Sequence, residues 1–300
     1  MTASATARNT LKPPLKWAGG KRWQLPHLEP YWTSHRQRRL VEPFCGGLAV
    51  TIGLNPQHAL LNDVNPHLIN FYTWLKKGLL SQVTMKNDKT LFYQHRDRFN
   101  ELIKAEQIST PESASLFYYL NRTAYNGLCR FNRHGRFNVP FGRYKTISYL
   151  SHFLEYKQLF NRWEFVCGDF TTLKLKPSDF IYADPPYDVE FTSYSSNKFS
   201  WDDQVRTAEW LSVHPGSVIL VNQATTRIQK LYRRFGFTLR YLDAPWRISR
   251  TGDRSPAREA IGTRTSKKLS YPSGNRYAIS SPANPPPLIA NTMYCCPSCI

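Results

Sequence analysis

An aspartate, two prolines and a tyrosine stand in succession at Asp184-Pro185-Pro186-Tyr187. The run before them, Phe180-Ile181-Tyr182-Ala183, is short and apolar, with Pro177 and Asp179 ahead of it, and reads as a buried strand. Two prolines cannot extend a sheet ladder, because neither has a backbone N–H and each fixes φ. Pro185 also drives Asp184 out of the helical region, which holds its carboxylate at the strand's C-terminal edge. In open α/β sheets that edge binds ligands. A carboxylate, a proline carbonyl and an aromatic ring within four residues suit a flat heterocycle bearing an amino group. Asp184 and the Pro185 carbonyl would accept its two N–H bonds, and Tyr187 would stack on its ring. The same tetrapeptide also suits a plain Pro-rich turn with an exposed acid, so the rest of the chain has to decide.

Two stretches nearer the N-terminus bring complementary groups. Lys16-Trp17-Ala18-Gly19-Gly20-Lys21 carries an indole and ammonium groups on a glycine turn. The G-x-x-x-x-G-K-[ST] spacing is absent and Arg22 follows the lysine, which excludes a P-loop. Further on, Arg39 to Phe44 reads as a strand, Cys45-Gly46-Gly47 as a turn into a helix, and His58 to Asp63 as a second strand ending in an acid. Strand, glycine turn, helix, strand and acid is a nucleoside-binding arrangement, in which glycines admit the ligand and the acid takes ribose hydroxyls. The full G-x-G-x-x-G fingerprint is missing, which argues against a dinucleotide.

The elements that must hold these groups occupy most of 300 residues, enough for one large domain with an insertion. With 41% hydrophobic residues the chain can bury a core. No apolar run approaches the roughly 18 residues of a membrane span, and residues 1–10 lack the apolar stretch of a secretory leader, so a cytoplasmic location is expected. A formal charge of +19 favours a polyanionic partner. Between 68 and 160 basic and aromatic residues interleave in helical stretches such as Leu91 to Phe99. Arg130, Arg133, Arg136, Arg143 and Lys145 then follow with no acid among them. Alternation around Arg133-His134-Gly135 predicts a β-hairpin whose Arg and Asn side chains could read bases from a groove. Ser200-Trp201-Asp202-Asp203 predicts a helix start, Ser217 to Asn222 and Phe237 to Leu242 predict strands, Arg247-Ile248-Ser249 has strand character, and 192–198 reads as a mobile loop. Residues 266–300 are rich in Pro, Ser and Asn and read as a disordered tail. Its Cys296–Cys299 pair lacks a second pair or a nearby histidine, so no metal site is expected and the six cysteines read as free thiols.

Taken in order, Lys16 to Lys21, Glu42-Pro43-Phe44-Cys45-Gly46-Gly47, Asn62-Asp63, Tyr125 to Arg130, Phe137 to Tyr144 and Asp184 to Tyr187 resemble the Dam-type DNA adenine-N6 methyltransferases. The resemblance runs from about Leu15 to Thr263. It implies a Rossmann-like α/β sheet with an inserted, mainly helical target-recognition domain that carries the hairpin. The segments would be a flexible arm (1–10), a catalytic domain (11–67 and 161–265), the recognition domain (68–160) and the tail (266–300). The implied cofactor is S-adenosylmethionine and the implied partner double-stranded DNA, with no metal and no membrane; the residues name no endonuclease partner. Trp17 and Lys21 would line the cofactor site. Phe44, Gly46 and Gly47 would pack beside its methionine and ribose, Asp63 would hold the ribose hydroxyls, Asp169-Phe170 would meet its adenine, and Asp184 would lie near its methionine end. Asp184, Pro185, Pro186 and Tyr187 would act on a flipped-out adenine. Tyr125 and Asn126 would enter the vacated position, Arg130 and Lys16 would reach bases, and Arg143, Tyr144 and Lys145 would meet phosphates, at GATC or a related site. Cys45-Gly46-Gly47-Leu48-Ala49 departs from the commoner F-x-G-x-G pattern. The intact Asp184 speaks against cytosine-N4 and RNA methylators, which usually carry Ser or Asn there; a DNA-binding relative without turnover is the remaining alternative.

Overall fold

Six of the seven strands coincide with apolar runs that turn residues close off. They are β1 (Leu40–Glu42), β2 (Ala59–Asp63), β3 (Trp163–Cys167), β4 (Phe180–Ala183), β5 (Ser217–Gln223) and β6 (Thr238–Asp243). The seventh, β7 (Arg258–Arg264), was not among the predicted strands. The computed structural model describes residues 11–81, 83–150, 152–188, 199–244 and 258–264. The chain divides into two units, Met1–Thr265 and Ser266–Ile300, and every described residue lies in the first. The N-terminal arm, the 192–198 loop, the strand character at Arg247–Ser249 and the cysteine-bearing tail fall outside the described residues.

The sheet order is β3-β2-β1-β4-β5-β7-β6. β3, β2, β1, β4 and β5 run parallel to one another, and β7 lies antiparallel between β5 and β6. The α/β, Rossmann-like sheet expected from the sequence is therefore present. Chain order reverses between β1 and β4, so the crevice beyond their carboxyl ends is the topological switch point. Pro43-Phe44 and Asp184 leave the sheet side by side there, because β1 and β4 pair in register at Leu40–Phe180 and Val41–Ile181.

Both central strands are wholly buried, as parallel strands covered on two faces must be. Alternate residues feed two clusters. Leu40, Leu61, Tyr182 and Val221 face one layer, while Val41, Leu60, Ile181 and Leu220 face the other. The second layer is formed by α7 (Trp201–Ser212) and α8 (Thr226–Arg234). The first is formed by α1 (Leu25–Thr33), α2 (Ala49–Leu54), α3 (Pro66–Lys77), α4 (Lys89–Lys104), α5 (Pro111–Thr123) and α6 (Leu154–Phe160). α3 starts at Pro66 because the Asn65 side chain accepts the His67 and Leu68 N–H groups. The predicted start at Ser200 is a full capping box with Asp203. Phe71, Tyr72, Phe99, Phe117 and Tyr118 join the sheet residues in one continuous core. At about 1.5–3 kcal/mol per large buried side chain, that core ties α3–α6 to the sheet far more firmly than surface ion pairs worth about 0–1 kcal/mol each.

The hairpin around Arg133-His134-Gly135 closes on a single bridge. Pairing is limited to Asn132 N–H to the Arg136 carbonyl (2.9 Å) and Asn138 N–H to the Arg130 carbonyl (3.2 Å), around one Phe131–Phe137 bridge. On its outer side, Phe137 is engaged by α4: its N–H donates to Asn100 Oδ1 (2.7 Å) and its carbonyl accepts from Asn100 Nδ2 (3.2 Å). A buried side-chain amide thus takes the place of a further strand.

Candidate active site

Asn62, at the end of β2, ties the neighbouring strand ends together. Its Nδ2 donates to the carbonyls of Pro43 (2.9 Å) and Gly168 (3.0 Å), and its own carbonyl accepts the Cys45 N–H (2.7 Å). Asp63 then accepts the N–H groups of Gly46 (3.1 Å) and Asn65 (3.0 Å). Burial pushes the Asp63 carboxyl up, against these bonds, which pull it down. The two glycines serve a close approach: a Cβ on Gly46 would lie 2.8 Å from Trp17 Nε1, and one on Gly47 would lie 2.7 Å from Trp17 Cβ. The Trp17 indole lies flush on the turn because both Cβ atoms are missing. Tyr72 fixes the same turn from below, donating to the Gly46 carbonyl at 2.7 Å.

Across the crevice, β4 delivers Asp184. Lys21 is 3% exposed, and its Nζ lies 3.0 Å from Asp184 Oδ2, 3.7 Å from Glu259 Oε1 and 4.4 Å above the centre of the Tyr187 ring, while donating to the Gly19 carbonyl at 3.2 Å. Glu259, on β7, accepts hydrogen bonds from the Tyr187 hydroxyl and from Gln24 Nε2. Gln24 Oε1 in turn accepts the Tyr182 hydroxyl (2.8 Å). The proline turn is pinned from its far side. Gln204 Nε2 donates to the Pro186 carbonyl (2.7 Å), Asn222 Nδ2 donates to Gln204 Oε1 (3.1 Å), and Arg227 grips Asp188 with two nitrogens.

Glu42 closes the floor. It is buried, accepts the Thr51 hydroxyl, and has its carboxyl pushed up to about 8, first by burial and further by the charge of Asp184, so it is protonated at neutral pH. Phe44 packs on Phe170 (5.2 Å between centres) and edge-on to Phe199 (5.5 Å). Asp169 holds the Thr171 N–H (2.9 Å) and Arg206 (3.1 Å), and the Arg206 guanidinium lies 5.1 Å from the centre of the Phe170 ring. Burial pushes the Asp169 carboxyl up, but the Thr171 and Arg206 bonds outweigh it and hold the group below its usual range.

Asn121 joins this crevice to the basic segment. Its Oδ1 accepts the Lys16 N–H (2.8 Å) and its Nδ2 donates to the Lys16 carbonyl (2.7 Å). Lys16 Nζ donates to the Arg122 carbonyl (3.1 Å) and sits 3.8 Å over the Tyr144 ring; burial, then the Arg122 charge, pulls its ammonium down. Gly127 has φ +63°, and a Cβ on it would stand 2.6 Å from Lys16 Cβ, so this crossing also needs a glycine. Beyond the crossing Tyr125, Asn126, Arg130, Arg143 and Lys145 are exposed, and Arg130 bonds Asn138 Oδ1 at 2.8 Å. Tyr144 is half-buried, its hydroxyl on the Ala124 carbonyl (3.1 Å).

Residues 17–243 match the D12 class N6 adenine-specific DNA methyltransferases. The chain belongs to this family. It is 35% identical over 266 residues to the DNA N-6-adenine-methyltransferase of Escherichia phage P1, a match covering 82% of this chain and 34% of that longer protein. It is 35% identical to the Retron Ec67 DNA adenine methylase of Escherichia coli, over 82% of this chain and 89% of the relative. A DNA adenine methylase of Vibrio cholerae is 36% identical over 79% of this chain and 90% of its own. Membership implies DNA as substrate and a methyl donor.

For this D12 chain the residues singled out from the sequence gather around two neighbouring features, the crevice at the β1–β4 switch point and the exposed basic segment beyond Asn121. Sequence reasoning missed Gln24, Asn121, Asp188, Gln204, Arg227 and Glu259. Their signal was faint, a polar residue beside buried apolar ones, and their partners lie up to 235 residues away. Among the described residues no cluster of three or more His, Cys, Asp or Glu could hold a metal, and no helix is long and apolar enough to cross a membrane. Cys45, Cys129 and Cys167 are free.

Proposed function

We propose that this chain transfers a methyl group from S-adenosylmethionine to N6 of an adenine flipped out of duplex DNA, at GATC or a related site. The observation that carries the reading is the Asp184 carboxylate, 3.0 Å from Lys21 Nζ where β4 ends against the switch point, followed directly by Pro185, Pro186 and Tyr187. The donor supplies an electrophilic methyl on a sulfonium. The residues present suit such a group. Asp184 and Glu259 bring carboxylates to the crevice beside the Lys21 ammonium, and a carboxylate at this edge suits a cationic group. Trp17 and Phe44 offer flat surfaces beside the Gly46-Gly47 turn, and Asp63 lies at the end of β2 where ribose hydroxyls are held in such sheets.

The chemistry follows from two acceptors and a ring. The N6 lone pair of adenine is delocalised into its ring, so the amino group is a poor nucleophile. Asp184 and the Pro185 carbonyl accept its two N–H bonds, return density to nitrogen and favour a tetrahedral centre, while Tyr187 stacks on the base. As nitrogen bonds to the methyl carbon, the carbon–sulfur bond would break with its electron pair left on sulfur as a neutral thioether; nitrogen becomes positive, and the adjacent carboxylate stabilises that charge. The nitrogen then sheds one proton and is left neutral, bearing the methyl. The base must leave the stack to reach this position; in this reading the exposed Tyr125 and Asn126 fill the gap. Lys16 and Arg130 are the base readers in this reading, and Arg143, Tyr144 and Lys145 the phosphate contacts.

Incubation with labelled S-adenosylmethionine and duplex DNA, followed by nucleoside analysis, tests it. N6-methyladenine is the expected product. Label in N4-methylcytosine, label only in RNA, or DNA binding with no transfer would each overturn the assignment. Asp184→Ala should abolish transfer while leaving most of the salt-sensitive DNA binding; a variant that still turns over would remove Asp184 from its role.

A further inference from the structure

Glu259 is 1% exposed and lies on β7, the strand that no sequence pattern announced. Both of its oxygens are engaged at the crevice. Oε2 accepts Gln24 Nε2, and Gln24 is itself oriented by the Tyr182 hydroxyl two residues ahead of Asp184. Oε1 accepts the Tyr187 hydroxyl and lies 3.7 Å from Lys21 Nζ. A buried carboxylate is tolerated only where partners compensate its lost hydration. Here the partners are the groups that would border a bound base.

The Tyr187 ring is consequently held at two points. Its hydroxyl is tethered by Glu259, and one face is covered by the Lys21 ammonium at 4.4 Å. The base can then stack only on the opposite face, at a tilt set by the tether. The same carboxylate keeps Lys21 between Tyr187 and Asp184. A misplaced ring shifts N6 relative to Asp184, and a displacement of about 1 Å can lower a rate about 100-fold.

Resting on the methyltransferase reading, we infer that Glu259 is a positioning residue for the target base, acting through the Tyr187 hydroxyl and the Lys21 ammonium. Glu259→Gln keeps the volume but removes the charge: its amide can still meet Gln24 and, by donating, the tyrosine hydroxyl, but it loses the charge-assisted bond to Tyr187 and the attraction that holds Lys21. Tyr187→Phe removes only the tethered hydroxyl and leaves the stacking face.

The test is a double-mutant cycle on the full chain. Single-turnover methylation of duplex DNA at saturating S-adenosylmethionine is measured beside duplex affinity and the fluorescence of 2-aminopurine at the target position. Each single variant should transfer about 10- to 100-fold more slowly with duplex affinity within about twofold of the parent. The double variant should be little worse than the slower single, since both changes break one tether. The fluorescence of the flipped base should change in both singles, which a merely structural glutamate would not produce. Multiplying effects, an unaltered fluorescence, or either single at the parent rate would overturn the inference. Tyr187→Phe decides the matter even if Glu259→Gln does not fold. If the parent protein itself moves no methyl to DNA, the methyltransferase reading fails; a competent parent with an equally fast Glu259→Gln removes only the role of Glu259.

Discussion

Replacing Glu42 by Gln should make the protein more stable at neutral pH, by an amount that grows with pH. Glu42 lies 3% exposed at the end of β1, with the Thr51 hydroxyl on one oxygen and Asp184 near enough to add its charge. Burial, chiefly, lifts its carboxyl from the usual 4.5 to about 8. Because the folded-state value is raised, the native protein binds more protons than the unfolded chain between those limits, and stability falls as pH rises through them. At 1.36 kcal/mol per pH unit, the 2.5 units from 4.5 to 7 correspond to about 3 kcal/mol, and the full interval to about 5 kcal/mol. Gln does not titrate, so its constant offset drops out of the slope. Urea unfolding of both proteins between pH 5 and 8.5 should show a gap widening by about 1.4 kcal/mol per unit and levelling near the upper limit. Asp184→Asn, by deleting a charge that raises Glu42, should bring the levelling point to lower pH. A gap that stays flat across the interval would refute the claim that Glu42 is buried with its proton.

Gly47→Ala should destabilise by about 1–3 kcal/mol, since its Cβ would fall 2.7 Å from Trp17 Cβ, and should weaken S-adenosylmethionine binding by displacing the indole; thermal unfolding and calorimetric titration read the two effects. Arg143→Ala should lower the slope of log affinity against log salt by about 0.9, whatever the sequence of the duplex. Arg130→Ala should instead relax site preference by about 1–3 kcal/mol, measured by competition between matched and altered duplexes.

Much of this fold is legible because parallel strands buried on both faces must be nearly all apolar. Leu40 to Glu42, Ala59 to Asp63 and Phe180 to Ala183 stand out against turn residues for that reason. The helix at Ser200 is legible from its capping box. β7 is not, because Arg258-Glu259-Ala260-Ile261-Gly262-Thr263-Arg264 has charged ends and a central glycine, and its pairing with β5 and β6 supplies the order that its composition lacks. The hairpin turn lies where the alternation predicts it, closed by a single bridge. Asn100 satisfies the outer edge of Phe137, and no longer ladder is required.

The candidate site divides along the same line. Asp184, Lys21 and the Gly46-Gly47 turn announce themselves through local chemistry: prolines that end a strand, glycines that admit a neighbour. Asn121 and Glu259 do not, since a buried polar side chain says only that partners exist. Within α5, Asn121 follows Tyr118, Tyr119 and Leu120 on a buried stretch, so its amide had to be satisfied inside the protein. That it binds the Lys16 N–H and carbonyl, and so fastens the loop carrying Trp17 and Lys21 to the segment carrying Tyr125, depends on the packing of α5 rather than on any spacing in the chain. The residues proposed to touch a substrate can be read locally because they act through their own backbone context. The residues that aim them act across the fold, and become visible only once the sheet order places β7 and α5 beside the switch point.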